Sequence, residues 1–485
     1  MNIVEPILFQ CKLNPWGAAI CTPGSAIDTI NYGQLGQAIH NVARTALKHD
    51  LRPGQTAAIF VKETIFHAAL ILALTRLGIV TVSGRRGKVP PELKIDAIIT
   101  DEPNSFIGMG NVIGFDLSWT MGDGKPLDYD QSHQTKEDDL CRIVLTSGAT
   151  GEAKAIGLSH KMLWDRIASY AYSRGSRFHQ CSRLFCDLGI ATTPGFQYAM
   201  YTLLRSGTIY FLSEDPTAIL QYMDLHKIQN MTTSPYGLGE FVKYFERDSA
   251  YECSFDHIVC QGAMLSKELS ERVRARMCQS LYSSYGSTEA GIAAFGPANV
   301  LADIPGAVGY IEPDVSIEIV DDSGQVLPVG REGMVRIHSM HLAKRYIGDP
   351  RATAKSFRDG CFYPGDFGHL TADGLLVIGG REKTVLNLGG DTIKPEIIEE
   401  ALTTFGGIDE AAAFGMKDEL GIAQPWALVV SRVALNEAAL RAHCNAKLPS
   451  WAVPVRFVSV DAIPRTGQGK IERHRLPELA KAKMS

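Results

Sequence analysis

Between about residues 55 and 290, short apolar runs alternate with longer segments of helical periodicity. The run Ala57–Val61 predicts a strand, and Thr64–Leu77, closed by Gly78, predicts a helix. The same unit recurs where Phe255–Cys260 is followed by Ser266–Met277. Such alternation is typical of parallel sheets covered by helices, so the predicted fold class is α/β.

The pattern changes after about residue 305. Glycines and prolines separate short β-rich runs such as Val315–Val320, which predict a small barrel or an antiparallel sheet. Beyond Arg381 the pattern is α+β and includes the predicted helices Pro395–Thr403 and Glu437–Lys447. Since no low-complexity linker separates the two patterns, we expect a second domain joined through a short hinge.

Composition narrows the class of protein. The chain has 485 residues, is 45% hydrophobic and has a formal net charge of −5, so charge alone favours neither nucleic acid nor an anionic membrane. The ten cysteines form no CxxC pair, which favours reduced thiols. The N-terminus lacks the pattern of a secretory signal, and the apolar segment 68–74 is too short for a membrane span. We expect a cytoplasmic protein without nucleic-acid partners.

One glycine-rich loop is the first candidate for chemistry. The sequence TSGATGEAKA at 146–155 follows the apolar run 143–145. Glycines allow several backbone N–H groups to point at one anion. Thr146, Ser147 and Thr150 add hydroxyl donors, and Lys154 adds a positive charge. The loop lacks the GK[ST] ending of the Walker motif, and by itself it fits a surface turn better than a phosphate site.

Two further stretches contain an acid. In Tyr285-Gly286-Ser287-Thr288-Glu289, glycine would let a flat ring lie against the backbone, and the glutamate could bind Mg²⁺. In Gly365-Asp366, the aspartate could accept hydrogen bonds from two ribose hydroxyls. A solvated strand end and a turn aspartate are the alternative interpretations.

Two stretches contain a cation. In Gly380-Arg381-Glu382-Lys383, arginine could bind phosphate or ribose, or form a surface ion pair. In Pro464-Arg465-Thr466-Gly467-Gln468-Gly469-Lys470, two glycines precede a lysine, so a flexible loop could present one cation or simply expose it.

In this order and spacing, the five stretches resemble the adenylate-forming superfamily of AMP-dependent synthetases and ligases, which includes acyl- and aryl-CoA synthetases. The resemblance extends from Tyr32-Gly33-Gln34-Leu35 to Lys470. It implies an N-terminal domain, residues 1–382, of two helix-flanked β-sheets plus a small β-barrel. A smaller mobile α+β domain would follow at residues 383–485, pivoting at Lys383.

The resemblance also implies a reaction in two steps. A carboxylate attacks the α-phosphorus of ATP, giving an acyl-adenylate and pyrophosphate, and a thiol then displaces AMP. The implied cofactors are ATP, Mg²⁺ and coenzyme A or a carrier-protein phosphopantetheine.

Residue roles follow from the motif match. Glu289 would bind Mg²⁺, Thr288 would contact the α-phosphate, and Lys470 would bridge that phosphate and the attacking carboxylate. The residues implied to bind nucleotide or line the thiol tunnel are Thr146, Ser147, Gly148, Thr150, Gly151, Lys154, Gly262, Ala263, Met264, Tyr285, Gly286, Asp366, Arg381, Gly389 and Gly390.

The chain departs from the family pattern at several positions. Ala153 and Ala155 replace a proline and a glycine in the phosphate loop, Cys361 and Pro364 replace a tryptophan and a threonine, and Thr384 replaces an aspartate. None of these changes removes a charge assigned to catalysis.

The implied acyl pocket includes Ala290–Ala294, whose small apolar residues favour an aliphatic or aromatic carboxylate. Asp187 lies too far upstream to match the aspartate that binds a substrate amine in amino-acid-activating members. Two alternatives stay open within the family: a stand-alone adenylation enzyme that loads a carrier protein, and a non-catalytic nucleotide-binding relative. A serine hydrolase is disfavoured because G-x-S-x-G is absent, and a homodimer is left open.

Overall fold

We describe the chain from a computed structural model. The description covers residues 2–84, 92–126, 135–146, 154–180, 182–212, 222–247, 255–381, 386–388, 391–417, 423–466 and 469–484. These residues form two compact units. Unit 1 contains the described residues of Met1–Thr146, Ala153–Ile317 and Ile337–Phe362, and unit 2 contains those of Glu318–Arg336 and Tyr363–Ser485.

The α-helices begin at recognisable signals. Asn31 and Gln34 form a capping box at the start of α2, and Thr192 accepts a hydrogen bond from Gly195 N at the start of α5. The helices are α1 Glu5–Leu13, α2 Tyr32–Lys48, α3 Thr64–Arg76, α4 His160–Gln180, α5 Thr193–Leu204, α6 Pro235–Arg247, α7 Lys267–Arg276, α8 Ala298–Leu301, α9 Pro350–Ser356, α10 Pro395–Thr403, α11 Glu437–Lys447 and α12 Leu476–Met484.

The strands of the first half of the chain are β1 Ala18–Cys21, β2 Thr29–Asn31, β3 Thr56–Phe60, β4 Val80–Ser83, β5 Ala97–Thr100, β6 Val112–Gly114, β7 Leu140–Thr146, β8 Lys154–Ser159, β9 Arg183–Cys186, β10 Thr208–Phe211, β11 Asn230–Thr233 and β12 His257–Gln261. Those of the second half are β13 Leu281–Ser287, β14 Gly291–Pro297, β15 Ala307–Ile311, β16 Val315–Val320, β17 Gly333–Ser339, β18 Tyr346–Ile347, β19 Phe357–Arg358, β20 Cys361–Phe362, β21 Asp366–Leu370, β22 Leu375–Arg381, β23 Leu386–Leu388, β24 Asp391–Ile393, β25 Ile408–Lys417, β26 Ala423–Ser431 and β27 Arg456–Ser459.

Unit 1 contains two sheets. One has the strand order β18-β8-β7-β4-β3-β5-β6, and the other runs β15-β14-β13-β12-β11-β9-β10-β1-β2. The central neighbours in both sheets are parallel, whereas β8 and β14 return antiparallel to the strands that precede them. Helices α2, α3 and α5 contribute to one apolar core with residues of both sheets. The predicted α/β class is confirmed, and the two antiparallel returns were not predicted from the sequence.

Unit 2 combines short antiparallel strands with a C-terminal α+β body. In that body β26 lies between β25 and β27, and its side chains alternate between two cores. Ala427 and Val429 pack with α10 and α11, whereas Leu428 packs with Leu476 and Ala480 of α12. The domain boundary between residues 382 and 383 stays a prediction. Among the described residues, no helix has both the length and the apolar character needed to cross a membrane.

Candidate active site

Thr288 and Glu289 lie in a tight turn between β13 and β14 of unit 1. Gly291 closes the turn at φ +76°, a conformation that favours glycine. Gly286 lies so close to the backbone of Gly291 that any side chain there would clash. Within the turn, Ala290 N donates to Ser287 Oγ at 3.1 Å. The two glycines of this stretch are therefore explained by the geometry of the turn.

A buried guanidinium fixes the backbone of this turn. Arg166 on α4 donates to Thr288 O and Glu289 O, each at 3.0 Å, and to His341 O at 2.9 Å. Ala343 N also donates to Glu289 O at 2.8 Å. Burial lowers the pKa of Arg166 to about 10, while the charge of Glu289 acts in the opposite direction. The side chain therefore stays protonated at neutral pH and holds three carbonyls at once.

The carboxylate of Glu289 is positioned by a tyrosine. Tyr346 OH donates to Glu289 Oε1 at 2.7 Å, and the Glu289 residue is only 8% exposed. The ammonium of Lys154 lies over the ring of Tyr346, 4.4 Å from its centroid. Tyr346 pairs with Ile156 across β18 and β8, so backbone pairing sets this arrangement. One tyrosine thus connects the predicted phosphate-loop lysine to the predicted metal ligand.

The hydroxyl of Thr288 lies at the start of α5. Thr288 Oγ1 and Thr193 Oγ1 are 2.9 Å apart, and Thr193 is the first residue of that helix. The N-terminus of a helix favours negative charge because its backbone N–H groups and its dipole point that way. On the other sheet, Thr146 ends β7 directly opposite Lys154 in the register of β7 and β8. Thr146, Lys154, Thr288 and Glu289 thus all lie at strand ends or turns of unit 1.

The segment Gly262–Met264, which the motif match implies to bind nucleotide, follows β12. Gln261 lies opposite Ser284 in the parallel pair β12–β13, so Gly262 leaves the sheet beside Tyr285. Gly262, Ala263 and Met264 are exposed. Ligands of open α/β sheets bind outside the carboxyl ends of the strands, and these residues occupy that position.

In unit 2, Asp366 and Arg381 are opposite each other in the antiparallel pair β21–β22. Asp366 is 2% exposed and begins its strand. The register therefore places the two residues on neighbouring strands. Their roles toward ribose remain predictions.

The loop that carries Lys470 is anchored by Arg465. This guanidinium contacts Glu410 Oε2 from Nη2 at 2.6 Å and from Nε at 3.1 Å, and it donates to Gly469 O at 2.8 Å. Thr466 N donates to Lys470 O at 2.7 Å. Lys470 itself is half-buried. The anchor belongs to the C-terminal body of unit 2.

Several predicted positions lie outside the described residues, namely Ser147, Gly148, Thr150, Gly151, Ala153, Glu382, Lys383, Thr384, Gly389 and Gly390. The structure brings Thr288, Glu289 and Lys154 together in unit 1, and Asp366 opposite Arg381 in unit 2. Sequence reasoning missed Arg166, Thr193 and Tyr346, because no local motif signals contacts that span, for example, 123 residues.

The residues of unit 1 suit a Mg²⁺ ion held partly by its substrate. The described part of the chain contains no group of three or more His, Cys, Asp or Glu side chains that could hold a metal. Mg²⁺ is commonly bound through one or two carboxylates together with substrate phosphates and water. A single oriented carboxylate, that of Glu289, fits this mode of binding.

Unit 1 is thus an α/β body in which the predicted site residues Thr288, Glu289 and Lys154 lie at strand ends and turns, and Tyr346 contacts both Glu289 and Lys154. The chain matches the AMP-binding enzyme family over residues 10–347 and the C-terminal domain of AMP-binding enzymes over residues 397–470. It therefore belongs to the AMP-binding enzyme family, as the resemblance of its motifs implied. Its relatives include proteins named as a CoA ligase and a CoA synthase.

Among these relatives, the 2-succinylbenzoate–CoA ligase of Listeria monocytogenes is 24% identical and covers 97% of this chain and 98% of its own. A feruloyl-CoA synthase of Amycolatopsis is 28% identical over 69% of this chain and 68% of its own. ATP-bound MatB from Rhodopseudomonas palustris superposes with a TM-score of 0.85 at 24% identity, covering 99% of both chains. The O-succinylbenzoate coenzyme A synthetase of Bacillus subtilis, with ATP and magnesium, gives 0.83 at 20% identity, covering 97% of this chain and 98% of its own. These structural likenesses show the fold.

Proposed function

We propose that this protein activates an organic carboxylic acid as an acyl-adenylate at the expense of ATP and transfers the acyl group to coenzyme A. The observation that carries the proposal is the turn at Thr288 and Glu289, fixed by Arg166 and joined through Tyr346 to Lys154. Family membership supports the reaction class, and the names of the relatives support coenzyme A as the acceptor.

The chemistry requires two anions to meet. A carboxylate oxygen attacks the α-phosphorus of ATP, and the bond from that phosphorus to the oxygen bridging the β-phosphate breaks, releasing pyrophosphate. The thiol then loses its proton and its sulfur attacks the acyl carbon; the bond from that carbon to the phosphate oxygen breaks, and AMP leaves with the electron pair of that bond. Fixed positive charge and fixed donors are needed where negative charge accumulates.

The residues of unit 1 fit these needs. Glu289 would hold Mg²⁺, which supplies charge neutralisation along the phosphates when bound. Thr288 Oγ1, at the start of α5, would contact the α-phosphate, and Lys154 would contact the outer phosphates. In unit 2, Lys470 would supply the cation that joins the α-phosphate and the carboxylate during the first half-reaction.

The acid is proposed to be aliphatic or aromatic and to lack a cationic amine. Asp187 lies shortly before α5 in the sequence, and Thr233 already donates to its Oδ2 at 2.6 Å. Burial raises the pKa of Asp187, which is unfavourable for a permanent anionic partner of an amine. A carrier-protein phosphopantetheine is the alternative acceptor.

The deciding experiment is carboxylate-dependent exchange of labelled pyrophosphate into ATP, with the full chain, Mg²⁺ and a panel of aliphatic and aromatic acids. We expect exchange with a subset of the acids and none without acid. Complete absence of exchange across the panel, with the protein folded, would overturn the proposal. For an active acid, formation of its coenzyme A thioester against loading of a holo-carrier protein then distinguishes the two acceptors.

A further inference from the structure

A cavity of unit 1 adjoins the Glu289 turn. It is lined by Ala290, Gly291 and Ile292 and by residues of α4 and α5. Arg166, which holds the carbonyls of Thr288 and Glu289, also contributes to its wall. A carboxylate reacting near Thr288 would therefore have the rest of its molecule pointing toward this cavity.

The wall of the cavity contains a buried ion pair in which only one nitrogen atom of the arginine contacts the carboxylate. Arg174 Nη1 lies 2.6 Å from Glu312 Oε1, with both side chains at most 6% exposed. The guanidinium also lies 3.4 Å from the centroid of the Phe295 ring. Among the described residues, Arg174 Nε and Nη2 have no hydrogen-bond partner.

Helix α5 contributes two neutral donors that are also buried and, within the described residues, without a hydrogen-bond partner. Gln197 Nε2 and Tyr198 OH are both buried atoms with no hydrogen-bond partner in the described part of the chain. Tyr198 lies near Tyr170 and Thr232, but its hydroxyl makes no hydrogen bond of normal geometry with either. Burial raises the pKa of Tyr198, so the hydroxyl remains protonated and can donate. Buried donors without acceptors are costly, which indicates that a ligand satisfies them.

Part of the wall is aromatic. The ring of Tyr170 meets the rings of Tyr198 and Tyr201 edge to face, with centroids 5.2 Å and 4.8 Å apart. The small residues Ala290 and Gly291 also line the cavity. Aromatic walls with a few oriented donors are typical of sites for substituted rings.

We propose that this cavity binds the acyl part of an aromatic acid and recognises an oxygen substituent on its ring through Arg174, Gln197 and Tyr198. The proposal rests on the proposed function and narrows its substrate class. Hydroxyl, carbonyl and carboxylate oxygens share the required acceptor chemistry. A purely apolar aliphatic or aromatic acid would leave the three donors unpaired.

The first experiment compares matched acids in pyrophosphate exchange. Benzoate is measured against its 3-hydroxy, 4-hydroxy, 3-carboxy and 4-carboxy derivatives, and an unsubstituted fatty acid series is included. We expect at least one oxygen-bearing acid to exceed benzoate in kcat/KM by about a hundredfold or more, since sites built for a polar substituent reject analogues that lack it. The hydroxy and carboxy series separate a neutral from an anionic acceptor.

The second experiment removes single donors. Tyr198→Phe deletes one hydroxyl, and we expect the ratio of kcat/KM for the preferred acid to that for benzoate to fall about tenfold, the effect of one neutral hydrogen bond. Gln197→Leu, at a half-buried position, should lower the same ratio if Tyr198→Phe does not fold. Tyr222→Phe is the control, because its hydroxyl donates to Asp28 elsewhere in unit 1 and the ratio should not change.

The outcomes are distinguishable. Exchange that is as fast with benzoate or fatty acids as with every oxygen-bearing acid overturns this inference but leaves the proposed function intact. If the ratio of kcat/KM for the preferred acid to that for benzoate is unchanged in both Tyr198→Phe and Gln197→Leu, this inference is likewise overturned and the proposed function is unaffected. Absence of exchange with every acid overturns the proposed function and this inference together.

Discussion

The Glu289 turn and the Lys470 loop are held in different ways. In the Glu289 turn, Glu289 is buried, its carbonyl and that of Thr288 accept hydrogen bonds from Arg166, and its carboxylate accepts one from Tyr346. In the Lys470 loop, Arg465, Thr466 and Lys470 are half-buried, and Arg465 contacts Glu410 and Gly469 O. The first arrangement suits groups that must be in place before the substrates arrive, and the second suits a cation that enters for one step and leaves.

The largest expected effect is at Lys470. Lys470→Ala should lower acid-dependent pyrophosphate exchange about a thousandfold, because loss of one donor at a developing charge costs about that much. The reaction of a supplied acyl-adenylate with coenzyme A should be largely retained, since the cation is assigned to the first half-reaction only. Both rates are measured on the same preparation.

The control for Lys470 is Lys483→Ala, which removes an exposed lysine that pairs with Asp461 and should alter neither rate. Equal loss of both half-reactions in folded Lys470→Ala protein would show that the lysine is not specific to one step. The contrast between a fixed site and a movable cation would then be wrong.

The second largest effect is expected at Tyr346, which contacts the carboxylate of the Glu289 turn. Tyr346→Phe keeps the ring beneath Lys154 but removes the hydroxyl that donates to Glu289 Oε1. Partners that orient a metal ligand typically contribute 10- to 100-fold in metal affinity, so the Mg²⁺ concentration for half-maximal exchange should rise about tenfold or more. It is measured by titrating Mg²⁺ at saturating acid and ATP.

For Tyr346, the matched control is Tyr210→Phe, a buried tyrosine whose hydroxyl lies 3.2 Å from His226 Nδ1. The Mg²⁺ titration of this variant should not move. If Tyr346→Phe leaves the Mg²⁺ requirement unchanged, then the tyrosine does not orient a metal ligand and its contact with Glu289 serves only folding.

Some parts of the structure could be predicted from the sequence, and others could not. Helices α10 and α11 have the predicted bounds because their apolar periodicity and their start signals, Pro395 and Asn436, are local. Strand β8 was missed, because six residues interrupted by Gly157 show no clear alternation. Arg166 and Tyr346 were missed because their partners are distant in sequence and no local spacing encodes them.

The motif residues themselves were predictable for a different reason. Thr288 and Glu289 were found through a resemblance of several stretches, and each stretch alone was compatible with an ordinary turn. The structure adds the physical reason for Gly286 and Gly291, namely the close backbone approach and the positive φ of the turn. The sequence did not predict that the cavity proposed to bind the acyl group has polar donors. Its predicted segment, Ala290–Ala294, is apolar, whereas the donors come from α4 and α5.

The smallest effect concerns the anchor of the Lys470 loop. Arg465→Ala removes the contact with Glu410 and the bond to Gly469 O, so the loop should populate more conformations around Lys470. Partly buried ion pairs of this kind are weak, and we expect pyrophosphate exchange to fall only about tenfold while thiolysis is unchanged. Arg475→Ala is the control, because its pair with Glu472 is local and more exposed. A loss as large as that of Lys470→Ala would mean that the loop must be as firmly positioned as the Glu289 turn, since a cation that merely enters and leaves should tolerate a looser anchor.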